Sequence, residues 1–272
     1  MTDQPQPGRL LTDAEAQQEA ARRSRRSFIT LGLAGLAGLG GWGWLVTRPA
    51  EQGVPRPLRK VLEANGQLAG EYLSNAQLAP VFAKSRARMP RVNGHVGLKD
   101  ELDLAAWRLR VQGYAPGATA PRRQEFTLAD IRALPRTEMT TELKCIEGWS
   151  TVVTWAGARL ADLLARYPLA TDPNPAAGTG QPADQARYAS LATPDGKYYV
   201  GLDLASALHP QTLLCYEMNG QPLTLDHGAP LRLVTPLKYG IKQLKRIGTL
   251  TFTDQRPADY WAERGYDWHS SL

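Results

Sequence analysis

Two cysteines and four histidines carry the side chains of this chain best suited to covalent or metal chemistry: Cys145 and Cys215, with His95, His209, His227 and His269. Cys145 sits in "TTELKCIEGWS". A thiol in such a place can be a buried hydrophobe, half of a disulfide, a nucleophile or a metal ligand, and its neighbours alone leave all four open. Cys215 lies in the apolar run "TLLCYEMNG", where a small buried hydrophobe is the default. A Cys–His nucleophile would need one imidazole beside the thiol, and sequence spacing does not say which. The chain has no HExxH zinc helix, Gly-rich phosphate loop, GxSxG elbow or Cys-x-x-Cys pair.

The elements that must position Cys145 are strands with a few helices. A strand is expected to lead into the cysteine, followed by an amphipathic helix in "GARLADLLARYP" with Leu160, Leu163 and Leu164 inward. Upstream, "LRKVLEAN" reads as a short helix. "AAWRLRVQG" alternates like a strand with Trp107, Leu109 and Val111 on one face, and "TLADIRALP" as a helix capped by Thr127 and stopped before Pro135. "LATDPNPAAGTGQPADQ" is loop-like. Short β-like runs then recur in "RYASLAT", "KYYVGLD", "LLCYEMNG", "APLRLVTP" and "IGTLTFTD", punctuated by Asp195-Gly196 and Asn219-Gly220. This pattern predicts a mixed, strand-rich α+β fold in a single domain.

At 272 residues and 43% hydrophobic content the chain can bury a real core. The net charge of +6 and pI near 9.4 come from cations interspersed with acids rather than gathered in a stripe, which argues against nucleic acid as a partner. The N-terminus is more specific. Ser24-Arg25-Arg26-Ser27-Phe28 resembles a twin-arginine export signature, and the uncharged, Gly-rich run Phe28 to Val46 follows it. The same run is long enough to stay as a membrane anchor, with Trp42 and Trp44 near the interface. Either reading takes the rest of the chain out of the cytoplasm to the periplasm or an equivalent extracytoplasmic space, where the two cysteines meet oxidising conditions. The expected organisation is a signal or anchor over 1–47, a Pro- and Arg-containing linker over 48–59 and one domain over 60–272.

"KCIEGWSTVVTWAGARLADLL" and, much later, "YVGLDLASALHPQTLLCYEMNGQPLTLDHGAPLRLVTPLKYGIKQLKRI" together resemble the sulfite-oxidase-fold molybdopterin oxidoreductases. The likeness is strongest to the catalytic subunits of periplasmic protein-methionine-sulfoxide reductases and spans roughly residues 90 to 256. Four blocks stand in the family's order: Cys-x-Glu-x-Trp-Ser, Ala-Leu-His-Pro, His-Gly-Ala-Pro-x-Arg and Lys-Tyr-Gly-x-Lys. The resemblance implies molybdenum held by molybdopterin, in the simple nucleotide-free pterin form usual in the family, with Cys145 as thiolate ligand to the metal. It also implies a pterin cradle of Arg232 and Lys245, with Asn93, His95 and Thr193 as further contacts. His227 stands where the reductases have Asn, and Gln243 and Leu244 would contribute backbone groups. Glu147, Trp149, Lys238 and Tyr239 are candidates for the substrate pocket, Trp149 alternatively packing a strand-to-helix corner.

Two departures bear on the reaction. Sulfite oxidases follow their ligand cysteine with an Ala-Gly-Asn-Arg-Arg-like anion pocket, whereas Cys145 is followed by Ile146-Glu147-Gly148-Trp149. Sulfoxide reduction on a small-molecule or protein-bound sulfur substrate is therefore expected over sulfite oxidation. The chain ends after "RPADYWAERGYDWHSSL", which leaves no haem domain of its own, so electrons are expected to pass through a membrane b-type cytochrome. Three rivals make different predictions: a sulfite dehydrogenase, a cofactor-free exported binding domain, and a thiol hydrolase with a freely alkylated Cys145.

Overall fold

Apolar periodicity sets the elements, and the computed structural model describes them over residues 12–51, 53–72, 77–172 and 185–272. Most of the loop-like stretch after Leu169 lies outside the described residues. In chain order the elements are α1 (Asp13–Val46), α2 (Arg56–Tyr72), β1 (Leu109–Gly113), β2 (Arg122–Phe126), α3 (Leu128–Arg132), β3 (Arg136–Lys144) and β4 (Ser150–Arg159). They continue with α4 (Leu160–Arg166), β5 (Tyr188–Ala192), β6 (Tyr199–Asp203), α5 (Leu204–Ala207), β7 (Leu213–Met218), β8 (Gln221–Pro222), β9 (Arg232–Val234) and β10 (Thr249–Thr253).

The chain divides into two compact units, Met1–Ala50 with Pro55–Pro57, and Glu51–Val54 with Leu58–Leu272. The first contains α1, whose residues Ala21–Val46 are long and apolar enough to cross a membrane, with a mean hydropathy of 1.5. The nineteen residues from Phe28 to Val46 rise about 28 Å as a helix, close to the thickness of a bilayer's hydrocarbon core.

In the second unit one five-stranded sheet has the order β8-β7-β4-β3, with β9 also paired to β7, all antiparallel. The other has the order β2-β1-β10-β5-β6, antiparallel except for β1 beside β10. Strand alternation does the packing: Leu109 and Val111 on β1, Ala189 and Leu191 on β5, and Leu250 and Phe252 on β10 all turn inward to one core. A second core lies on the first sheet, where Met139, Val153, Trp155, Leu213 and Cys215 meet. The α+β, strand-rich expectation holds, and all five β-like runs after Arg187 are strands. Asn219 and Gly220 both take positive φ in the turn between β7 and β8, as an Asn-Gly hairpin requires.

Two local expectations need correction. The residues Gly157–Arg159, expected to open a helix, end β4 instead; a Cβ on Gly157 would stand 2.2 Å from the Leu214 carbonyl, so only glycine lets β4 approach β7 this closely. The helix proper is α4, with Leu160 and Leu163 buried and Leu164 partly so. The upstream helix, expected as a short one in "LRKVLEAN", runs longer, over Arg56–Tyr72, and its Arg59 is buried and donates to the Ala262 carbonyl at 3.0 Å. By contrast, Thr127 caps α3 as the sequence indicated, in a reciprocal box with Asp130.

Candidate functional site

Cys145 stands at the head of a tight hairpin. Strands β3 and β4 stay paired up to Lys144 opposite Ser150, leaving Cys145 to Trp149 as the loop. The Cys145 N–H donates to the Trp149 carbonyl at 2.9 Å, and the Gly148 N–H donates to the Cys145 carbonyl at 3.2 Å. Gly148 has φ +83°, a left-handed conformation that closes the loop and that other residues resist. Trp149 thus belongs to a strand-to-strand hairpin, not a strand-to-helix corner. Its indole N–H donates to Glu147 Oε2 at 2.9 Å, and the Asn93 side-chain amide donates to the same oxygen at 3.0 Å. Those two donors, the indole first, hold the Glu147 carboxyl below its ordinary range. The Asn93 amide nitrogen also lies 3.7 Å from Cys145 Sγ.

Opposite the thiol is a basic cradle built on β9 and the loops around it. Register places Arg232 beside Cys215 on β7, which carries its guanidinium over the Trp155 ring at 4.7 Å. Its two amino groups donate to the carbonyls of His227 (3.1 Å) and Gln243 (3.4 Å), while the buried Nε has no hydrogen-bond partner among the described residues. Burial pulls Arg232 down to about 10. Lys245 donates to the Asn93 carbonyl at 2.6 Å, and burial, with the Arg232 charge second, lowers it to about 8. Burial and the same two cations lower His227, favouring a neutral ring. Gly228 has φ +99°, and a Cβ there would come within 2.8 Å of Lys245, so the glycine of the His-Gly-Ala-Pro block lets the two halves of the cradle meet.

Cys145, Asn93, His227, Arg232, Gln243 and Lys245 therefore line one cleft, with Glu147 and Trp149 at its edge. The other expected residues lie elsewhere. His95 faces a neighbouring groove shared with Asp226 and Arg246. Thr193 is buried in a turn, its hydroxyl donating to Asp195 at 2.6 Å and accepting the Tyr198 N–H at 3.2 Å. Leu244 packs in the core, and both its backbone groups are engaged, with Lys242 and Leu233. Lys238 is buried beside Asp203 and Ser271, and the Tyr239 N–H donates to the Ser270 carbonyl. His209 and His269 lie away from the cleft, His209 against the Gln77 carbonyl.

The cysteines are both free thiols. Cys215 is the buried hydrophobe the sequence indicated, its thiol pushed up to about 12 by burial. The sequence reading missed Arg91, Tyr198, Ile241, Trp261 and Tyr266, which also line the cleft. A signal existed for the last two, since "DYWAERGYDW" is unusually aromatic for a polar terminal stretch.

What could such a cleft hold? Two largely buried cations crowd together; among the described residues a guanidinium N–H and the Gln243 side-chain oxygen have no hydrogen-bond partner, and no carboxylate pairs directly with either cation, Asp226 acting on Lys245 only as a lesser charge. That arrangement fits a polar, phosphate-bearing anion better than an empty site, because buried charge without a counter-charge is costly. The half-buried Cys145 thiol at the other end is a soft donor suited to a soft metal. Among the described residues no group of three or more His, Cys, Asp or Glu gathers to hold a metal.

Fold and cleft together are those of a molybdenum-cofactor oxidoreductase. The chain belongs to the family described as the oxidoreductase molybdopterin binding domain, which matches residues 95–261. It is an oxidoreductase whose cofactor is molybdopterin with molybdenum. A "putative protein-methionine-sulfoxide reductase subunit YedZ1" of Azospira oryzae is 31% identical over 90% of this chain and 87% of its own. The "protein-methionine-sulfoxide reductase catalytic subunit MsrP" of Xanthomonas campestris pv. campestris is 34% identical over 59% of this chain, which spans 49% of that relative. Among solved structures, the sulfane dehydrogenase SoxCD from Paracoccus pantotrophus has a TM-score of 0.49 and 19% identity over 67% of this chain and 46% of its own.

Proposed function

We propose that the chain is an exported enzyme that reduces a sulfoxide to a sulfide, with Cys145 as the thiolate ligand of molybdenum. Arg232, Lys245, His227, Gln243 and Asn93 hold the pterin and its phosphate. The observation that carries this reading is the pairing, in one cleft, of the Cys145 thiol with two largely buried cations that, among the described residues, have no carboxylate in direct contact. Bound there, molybdenum supplies the two-electron exchange that oxygen-atom transfer needs. The chain's own groups do the rest. Arg232 and Lys245 neutralise the anion, Asn93 directs an N–H at the Cys145 sulfur, and Trp149 and Glu147 shape the mouth.

Reduction of a sulfoxide consumes two electrons and two protons and releases water. A membrane b-type cytochrome is the proposed donor, and the twin-arginine-like stretch Ser24–Phe28 with the apolar run after it, both within α1, the proposed export signal, retained or removed. The substrate follows from charge. Arg91, over the Trp149 ring at 5.9 Å, is countered by Glu147, and the other two cations lining the cleft, Arg232 and Lys245, are assigned to the cofactor, so among the described lining residues no uncompensated charge is left to select a small oxyanion such as sulfite. The relatives named as methionine-sulfoxide reductases support the same direction. The domain organisation proposed from sequence, a signal or anchor followed by one cofactor domain, is compatible with the two units.

The test is molybdenum analysis of protein from an exporting host, alongside Cys145→Ser. About one metal per chain, lost in a folded variant, is expected, together with sulfoxide reduction by an artificial electron donor. A fully active Cys145→Ser would sink the ligand assignment.

A further inference from the structure

The cleft has a second wall that the cofactor cradle does not use. It comes from the C-terminal segment, where Trp261 and Tyr266 pack edge to face with ring centroids 5.1 Å apart. Both stay partly open, Tyr266 at 40% exposure, although Trp268 nearby is buried. Trp149 completes an aromatic rim from the Cys145 loop. Large aromatic side chains left open at the mouth of a reaction cleft are more informative than buried ones.

Trp261 is held rigidly. Its indole N–H donates to the Tyr198 hydroxyl at 3.0 Å, and that hydroxyl donates to the Ile241 carbonyl at 2.6 Å. Its backbone N–H donates to Asp259 at 3.1 Å, and Asp259 pairs with buried Lys242 on the turn that carries Ile241. With its one polar atom already satisfied, Trp261 offers a ligand only apolar aromatic surface. Such surface attracts apolar groups and sulfur.

We infer that Trp261 and Tyr266 form a specificity shelf that binds the large apolar substituent of an organic sulfoxide or sulfide while its sulfur faces Cys145. The reacting group rests on the sulfoxide reading above; the shelf itself does not.

The test uses the molybdenum-loaded protein and the variants Trp261→Ala, Trp261→Phe and Tyr266→Ala. Turnover of methyl p-tolyl sulfoxide is compared with that of dimethyl sulfoxide, and binding of methyl p-tolyl sulfide is measured by calorimetry without turnover. The ratio of kcat/KM for the tolyl over the dimethyl substrate is expected to fall about tenfold in Trp261→Ala and about threefold in Tyr266→Ala. The change should lie in KM, sulfide affinity should weaken in step, and Trp261→Phe should keep most of the ratio. Tyr266 is exposed, so its variant does not depend on tolerance of a core change. An unchanged ratio with unchanged sulfide affinity in all three variants overturns the shelf. If the parent reduces neither sulfoxide, the sulfoxide reading fails and the shelf is judged on binding: weaker sulfide binding in the variants sustains it, and no binding by the parent sinks it.

Discussion

The Lys245 ammonium donates to the backbone carbonyl of Asn93 at 2.6 Å, tying the basic cradle to the segment whose side chain reaches the Cys145 sulfur. Burial has brought this lysine from 10.5 to about 8, with the Arg232 charge as the second cause. In the unfolded chain it titrates near its ordinary value, so between pH 8 and about 10.5 the unfolded state binds the extra proton. Stability of the cofactor-free chain therefore rises with pH across that window, and below pH 8 the full cost of the buried charge is present. Lys245→Met should lose this part of the slope in urea midpoints measured from pH 7 to 10. It should also lose most of its molybdenum when expressed with the cofactor. Parallel slopes in parent and variant would show that Lys245 is not the strained cation.

Glu147 accepts both of its hydrogen bonds on one oxygen, which lets charge and geometry be separated. Glu147→Gln can keep both bonds while leaving Arg91 without its counter-charge at the mouth. Sulfite, tested as an inhibitor, should then bind about three- to tenfold more tightly, and less so at high salt. Glu147→Ala releases Trp149 and Asn93 as well, so sulfoxide kcat/KM should fall further than in the Gln variant. Equal sulfite inhibition in parent and Gln variant would remove the charge argument for a neutral substrate.

Asn93 is the residue whose donor role depends most on chemistry rather than shape. Asn93→Asp is nearly isosteric, but it puts a second carboxylate 3.0 Å from Glu147 and replaces the N–H directed at the thiolate with negative charge. Activity should fall about tenfold or more and the sulfur-to-metal absorption band should shift, with Asn93→Ala milder in both. A spectrum identical to the parent's in both variants would place the Asn93 amide outside the thiolate's surroundings.

Much of this site was legible in the sequence because its blocks are local. The Cys-x-Glu-x-Trp-Ser stretch is one hairpin loop, and His227, Arg232, Gln243 and Lys245 fall within one short run that doubles back on itself through Gly228. Strands with clean alternation, such as β5 and β10, were equally plain. Less legible was β4, because Gly157 and the small residues beside it read as helix until β7 is seen packed against them. Leu244 stands between two cradle residues in sequence, yet the core absorbs it, and Thr193 is taken up by a turn. Trp261 and Tyr266 were missed for the opposite reason: they reach the cleft through the tertiary contact of Asp259 with Lys242, which no local pattern encodes.

That contact gives the sharpest stability test. Asp259 and Lys242 are almost wholly buried, with Nζ 2.5 Å from Oδ2, and the carboxylate also accepts the backbone N–H groups of Gly201, Trp261 and Ala262. Asp259→Asn leaves a buried ammonium without its counter-ion, which typically costs about 3–5 kcal/mol. For a body of this size that corresponds to a fall in Tm of roughly 10 °C. Lys242→Met with Asp259→Asn removes the stranded charge, so the double variant should be more stable than Asp259→Asn alone. The pH dependence separates charge from hydrogen bonding. Burial already lowers Lys242 to about 8, and loss of Asp259 lowers it further, so the stranded lysine sheds its proton in the folded variant before it does in the parent. The stability gap between parent and Asp259→Asn should narrow as pH approaches 8. A gap that stays constant with pH would mean the damage comes from the three backbone N–H groups, and the ion pair would lose its place as the anchor of the C-terminal wall.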